Sequence, residues 1–281
     1  MPDQHVPSWN GHSGNAWADL QPMLDRLYQP FEKILTDAVV TDGVRDVLDV
    51  GCGTGATTLA LAERLGTAGR CTGIDISQVL VDIARHRAEA AGATNARFVL
   101  GDGQSQAFAP KGFDAVASRF GVMFFADPVA AFRNIHNATR PSGGLTCIAW
   151  RPKSENPFQT TAERAAEPLI GRVGPSDPRA PGQFGFADAD RVRRILATSG
   201  WDAIDIAPID VPLALPRDDL AIYIRRMGYV AIALPSLEEK LRAKVTDVLD
   251  QAFAAFLIDD VARFNAACWM IRARAIVNPP T

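Results

Sequence analysis

The chain has 281 residues, 47% hydrophobic and 22% charged, which suits one α/β domain with sizeable insertions around a large apolar core. A formal net charge of −3 argues against a dedicated nucleic-acid binder, whose domain would be basic, but leaves room for a small anionic ligand. Four scattered cysteines, Cys52, Cys71, Cys147 and Cys268, show no C-x-x-C spacing; they read as reduced thiols, not a disulfide framework or zinc site, and no metal is expected.

The opening stretch has neither a basic nor an apolar signal region, and no apolar run reaches membrane-spanning length, so a cytoplasmic chain without a membrane span is expected. WNGHSGNAW (9–17) sets two tryptophans among hydrogen-bonding residues and glycines. It reads as part of a set of N-terminal lid helices (1–42), with Trp17 or Trp9 against a ligand and His12 facing the site. RDVLDV (45–50) predicts a buried strand and ATTLALAERL (56–65) a helix. RCTGID (70–75) is a second strand, followed by a helix over 77–92 with Ser77 as N-cap and Gly92 as stop. ARFVLGD (96–102) and FDAVASRF (113–120) are further strands. A helix over 127–140, capped by Asp127 with Pro128 at its first position, leads into the strand GGLTCIAW (143–150). Such alternation predicts a parallel sheet covered on both faces, with residues 43–150 as the cofactor-binding core.

After Trp150 prolines and glycines mark an irregular insertion (151–187) around a short helix (158–170). A helix (188–200) and a strand (201–213) continue the core. Two helical stretches, 218–234 and 236–258, form a helical substrate lid (214–260), the second opening on Ser236 and Glu239 in capping-box spacing. Tyr223, Met227 and Tyr229 with Arg225 and Arg226 are either core packing with solvated arginines or an apolar lid with a cationic spot. His136 reads as partly buried and His86 as exposed. RFNAACWMIRARAI (263–276) is a last core strand, within a final segment of 261–281.

The chemistry concentrates where the first strand turns into a helix. Gly51, Gly53 and Ala56 satisfy G-x-G-x-x-A, the spacing of a dinucleotide site. Glycines there let a ligand approach the backbone at the positive end of a helix. Yet Asp49 at the strand tip would oppose a pyrophosphate and instead suits a ligand end carrying a cation. Asp75, ending the second strand, can accept from both hydroxyls of a ribose, and Asp102 in GDG (101–103) from the exocyclic amine of adenine. An amino-acid end, a ribose and an adenine, in that order, describe S-adenosylmethionine.

At these residues the sequence resembles the class I S-adenosylmethionine-dependent methyltransferases. The blocks that carry the resemblance are VLDVGCGTG (47–55), GIDIS (73–77), GDG (101–103), FDAVASRFGVMFF (113–125) and TRPSGGLTCIAW (139–150), where the family's usual LRPGG has gained one residue. The resemblance implies a Rossmann-like three-layer sandwich with a seven-stranded, mostly parallel sheet whose last strand is antiparallel. It further implies that Asp49, Gly51 and Gly53 hold the methionine part, with Cys52 in the same loop as a small buried thiol. Asp75 would take the ribose, Ile76 pack on the adenine, and Asp102 and Gly103 bind its edge. Ser118, Arg119 and Phe120 would lie beneath the methionine near the methyl group.

The expected function is methyl transfer to a small, apolar or aromatic metabolite, working largely by proximity, with Arg119 and His12 as orienting groups and S-adenosylhomocysteine as product. A nicotinamide-dependent dehydrogenase and a non-catalytic S-adenosylmethionine-binding protein are the alternatives. Monomer and homodimer are equally compatible with the sequence.

Overall fold

A computed structural model describes residues 8–275 other than Ser176 and Pro178. The first seven residues of the expected lid and residues 276–281 of the expected last segment lie outside the described residues. In chain order the elements are α1 (His12–Asp19), α2 (Gln21–Val39), β1 (Asp46–Val50), α3 (Ala56–Leu65), β2 (Arg70–Asp75), α4 (Gln78–Ala90), β3 (Ala96–Leu100), β4 (Phe113–Arg119) and α5 (Pro128–Ala138). They continue as β5 (Thr139–Trp150), α6 (Pro157–Ile170), α7 (Ala189–Thr198), β6 (Trp201–Pro216), α8 (Arg217–Arg226), α9 (Gly228–Ala233), α10 (Glu239–Ala254), β7 (Leu257–Ile258) and β8 (Val261–Ala275).

The strands form one mixed sheet in the order β3-β2-β1-β4-β5-β8-β6, with the short β7 paired to β8 as an eighth strand among the described residues. β1 lies between β2 and β4, parallel to both, and its Val47, Leu48 and Val50 are buried, as a strand covered on two faces requires. The order of travel reverses between β1 and β4. In open α/β sheets that reversal opens a crevice beyond the carboxyl ends of the strands. β8 runs antiparallel to both neighbours, from Gly144↔Arg274 to Trp150↔Cys268 on one side and Trp201↔Ala275 to Pro216↔Val261 on the other.

Several local expectations give way to tertiary context. Residues 21–39, grouped with a lid in the sequence reading, form a core helix: α2 packs on β4, β5 and β6, with Phe31 and Leu35 fully buried. Ser77 occupies the N-cap position of α4 but makes no side-chain cap; its hydroxyl instead donates to the Trp9 carbonyl at 2.6 Å. The Ser236–Glu239 capping box does not form. Ser236 sits in a 3₁₀ turn and bonds the Ala233 carbonyl, Leu237 is extended, and α10 starts behind Glu238. The expected helix over 218–234 breaks at Met227, which is extended, and Gly228, whose φ of +85° begins a second helix. Asp127 does cap α5, accepting from the Ala130 N–H at 3.0 Å. No helix of the described residues is long and apolar enough to cross a membrane.

Candidate cofactor and acceptor site

The turn from β1 into α3 is shaped by backbone contact. Gly51 has φ +72°, and a Cβ there would stand 2.6 Å from the Cα of Gly121, which follows β4. Only glycine fits where two main chains approach so closely. Gly55, at φ +87°, ends the loop as the N-cap residue of α3, and a Cβ on it would press on Phe98 and Ala84. The amides of Gly51 and Cys52 both donate to the Ile74 carbonyl, tying the loop to the tip of β2.

Asp75 stands at that tip. Its Oδ2 accepts from the Gly53 N–H at 2.8 Å and its Oδ1 from the Ser77 N–H at 2.9 Å. The carboxylate is therefore fixed in direction while each oxygen keeps a lone pair for a ligand. Burial pushes its pKa up, and the hydrogen bonds from Ser77 and Gly53 act against that shift. Asp102 borders the same cleft one strand further along, held in a tight turn in which its Oδ1 accepts from the Gln104 N–H at 2.8 Å. Gly103 lines the cleft beside it, and Ile76 stands at the rim, 48% exposed.

Two of the residues read from the sequence do not reach the cleft. Asp49 lies below the loop, 1% exposed, with Oδ2 accepting from the Thr58 hydroxyl at 2.7 Å and Oδ1 buried without a partner. Burial raises its pKa to about 6. Ser118 is fully buried and braces the backbone: its hydroxyl donates to the Val50 carbonyl and accepts from the amides of Gly121 and Val122. Both residues act on the loop from beneath, a depth that strand alternation does not disclose.

The other named residues converge. Cys52 lines the cleft, and burial holds its thiol well above the ordinary range, which removes it as a nucleophile. Phe120, at φ +65°, stacks on Trp150 with centroids 4.8 Å apart. Arg119 faces the cleft and donates to the Tyr28 carbonyl at 3.1 Å. Trp17 stacks on Tyr28, and exposed His12 stands at the edge.

From the strand tips the cleft, about 560 Å³, runs on without interruption into a chamber walled by Trp150, Phe158, Tyr223, Phe253, Met227 and Tyr229. Arg225 and Arg226 are engaged by Asp250 and Asp19, so Tyr223, Met227 and Tyr229 supply an apolar wall whose arginines are held in ion pairs. Sequence reasoning missed Tyr28, Phe158 and Gln159 of this cleft; they lie on helices that the glycine loop and acidic tips do not announce.

Residues 47–143 match the family model described as a methyltransferase domain. That stretch is similar to a methyltransferase domain. The chain's mixed, mostly parallel sheet with antiparallel end strands matches a Rossmann-like methyltransferase fold. Among curated relatives, a demethylmenaquinone methyltransferase of Staphylococcus aureus is 31% identical over 117 residues, 42% of this chain and 47% of that protein. The chain thus spans about half the length of the curated relatives it matches. Among solved structures, the YcgJ protein of Bacillus subtilis shares the fold at TM-score 0.59 and 17% identity, covering 89% of this chain and 100% of that one. Phosphoethanolamine N-methyltransferase 2 of Haemonchus contortus, solved in complex with S-adenosyl-L-methionine, matches at TM-score 0.59 and 14% identity, covering 97% of this chain and 61% of that one. The matched stretch takes in β1 to β4 and α5 but none of the aromatic chamber, which is built from α2, the end of β5, α6 and the segments around α8–α10.

Proposed function

We propose that this chain transfers a methyl group from S-adenosylmethionine to a small apolar or aromatic acceptor in the cytoplasm. One observation carries the reading: a single cleft joins the acidic strand tips to an aromatic chamber. The residues suit the cofactor. Gly53, at φ +53°, has open space where a Cβ would project, and Asp75 keeps acceptor capacity toward a sugar diol. Asp102 and Gly103 would bind the edge of the adenine and Ile76 pack against it. Asp49, with its unpartnered oxygen, places negative character beneath the loop on the side that would receive an ammonium group.

S-adenosylmethionine, when bound, supplies a methyl carbon made electrophilic by its sulfonium. The chain's own part is to align an acceptor with that carbon and to exclude water. Burial raises the hydroxyl pKa of both Tyr28 and Tyr223 at the chamber, so they stay protonated near neutrality and can orient an acceptor without deprotonating it. Arg119 and His12 are the further orienting groups.

Titration calorimetry with S-adenosylhomocysteine tests the cofactor half. Saturable one-to-one binding is expected, weakened about 10- to 100-fold in Asp75→Ala, as loss of charge-assisted hydrogen bonds implies. Absence of binding overturns the reading; equal affinity in the variant removes Asp75 from the ribose.

A further inference from the structure

The aromatic chamber contains a polar chain that the matched stretch does not supply. Tyr28 of α2 and Tyr223 of α8 both line the chamber. The Tyr223 hydroxyl donates to Oε1 of Gln159 on α6 at 3.2 Å. Gln183, from the segment between α6 and α7, donates through its Nε2 to the same oxygen at 3.1 Å. Two donors on Oε1 fix which way the Gln159 amide points. Its other end, Nε2, is buried and has no hydrogen-bond partner. A buried amide nitrogen with its N–H bonds unmade is costly, and native proteins rarely retain one without a use for it.

The surroundings narrow what that use is. Gln159 borders the cleft beside Phe158 and Tyr223, and most of the chamber wall is apolar or aromatic, with Gln183 and Glu163 as polar members near it. Glu163, one turn further along α6, is occupied by Lys153 at 2.8 Å. The amide therefore holds unspent donor capacity at the wall of a largely apolar space, and a donor asks for a lone pair.

We propose that Gln159 is the specificity-determining residue of the acceptor site and that it recognises a carbonyl or phenolic oxygen on an apolar, ring-bearing acceptor. This rests on the methyl-transfer reading only for the word acceptor; the chamber and its donor stand whatever is bound at the strand tips. Tyr223 and Gln183 are positioning residues that hold the amide by its oxygen. Three segments separated in the chain, α6, α8 and the stretch between α6 and α7, meet at this one side chain, so its orientation reports whether the chamber is assembled.

The test uses the full chain saturated with S-adenosylhomocysteine and a set of bicyclic probes: 1-tetralone, 1-naphthol and the oxygen-free tetralin. Binding is followed by the fluorescence of the tryptophans that line the cleft. Wild type is expected to bind 1-tetralone and 1-naphthol about tenfold more tightly than tetralin, the scale of one buried hydrogen bond. Gln159→Leu should level the three affinities. Gln159→Glu, of the same shape but without the N–H donors, should level 1-tetralone and tetralin, which guards against a packing artefact of leucine. Tyr223→Phe should reduce the preference partway.

No preference in wild type, or an undiminished one in both Gln159 variants, overturns the proposal. The S-adenosylhomocysteine affinity, measured separately in each protein, judges the cofactor reading. Probe preference without cofactor affinity would sink that reading and leave the role of Gln159 intact.

Discussion

Asp49 has the Thr58 hydroxyl as its one hydrogen-bond partner among the described residues, and burial outweighs that bond and the charge of Arg119, which gives it a measurable signature. Its pKa in the fold is about 6, against about 4 in the unfolded chain. Between those values the folded form holds a proton that the unfolded form has lost, so raising pH from about 4 to 6 disfavours folding. Above about 6 the penalty is constant, at most about 3 kcal/mol. Burial raises Glu32 and Asp75 as well, and they add slope of the same sign. Asp49→Asn should therefore shrink, without abolishing, the fall in Tm of the ligand-free protein across that window. Thermal unfolding from pH 4 to 7.5 checks it; a slope equal to wild type would mean that Asp49 is not protonated in the fold. The sequence marked this acid as a site residue from its place before the glycines. Its depth was not legible, because an acid at a strand tip looks the same whether it faces a cleft or lies under a loop.

Ser77 shows a comparable diversion at the scale of elements. The N-cap position was correctly placed by sequence, yet the hydroxyl is spent on Trp9, 68 residues away. Asn10 strengthens the join, donating to the Ile76 carbonyl and accepting from the Gln78 N–H. The segment before α1 is thereby strapped to the β2–α4 turn, with Trp9 edge-on to Phe124 and Trp17. Ser77→Ala should loosen the strap by about 1 kcal/mol, which is roughly a fivefold gain in local opening. Limited chymotrypsin digestion, followed at Trp9 and Trp17, should show that acceleration; unchanged cleavage would mean that the aromatic contacts hold the strap unaided. Sequence disclosed an aromatic, hydrogen-bonding segment here but not its anchor, since a contact between distant residues leaves no periodicity.

Across the whole molecule the alternating part was readable because each strand from 45 to 150 is a short apolar run closed by turn residues. The aromatic chamber was not, because Tyr28, Gln159, Gln183 and Tyr223 belong to separate segments and acquire meaning only as neighbours around one cavity. All four cysteines are buried, and burial pushes every thiol upward. The native protein should accordingly show no fast reaction with Ellman's reagent, and the unfolded chain four equivalents. A rapidly reacting native thiol would contradict the core as described.

The long ladder between β6 and β8 has a consequence for how such a protein can diversify. Pairing persists to Pro216↔Val261, so residues 217–260 depart from and return to two adjacent points on one rigid ribbon. Whatever happens to the length or composition of that detour, neither strand need slip by a residue. The part of the chamber wall that this detour supplies, Tyr223, Met227, Tyr229 and Phe253, can thus be rewritten while the sheet beneath it keeps its register.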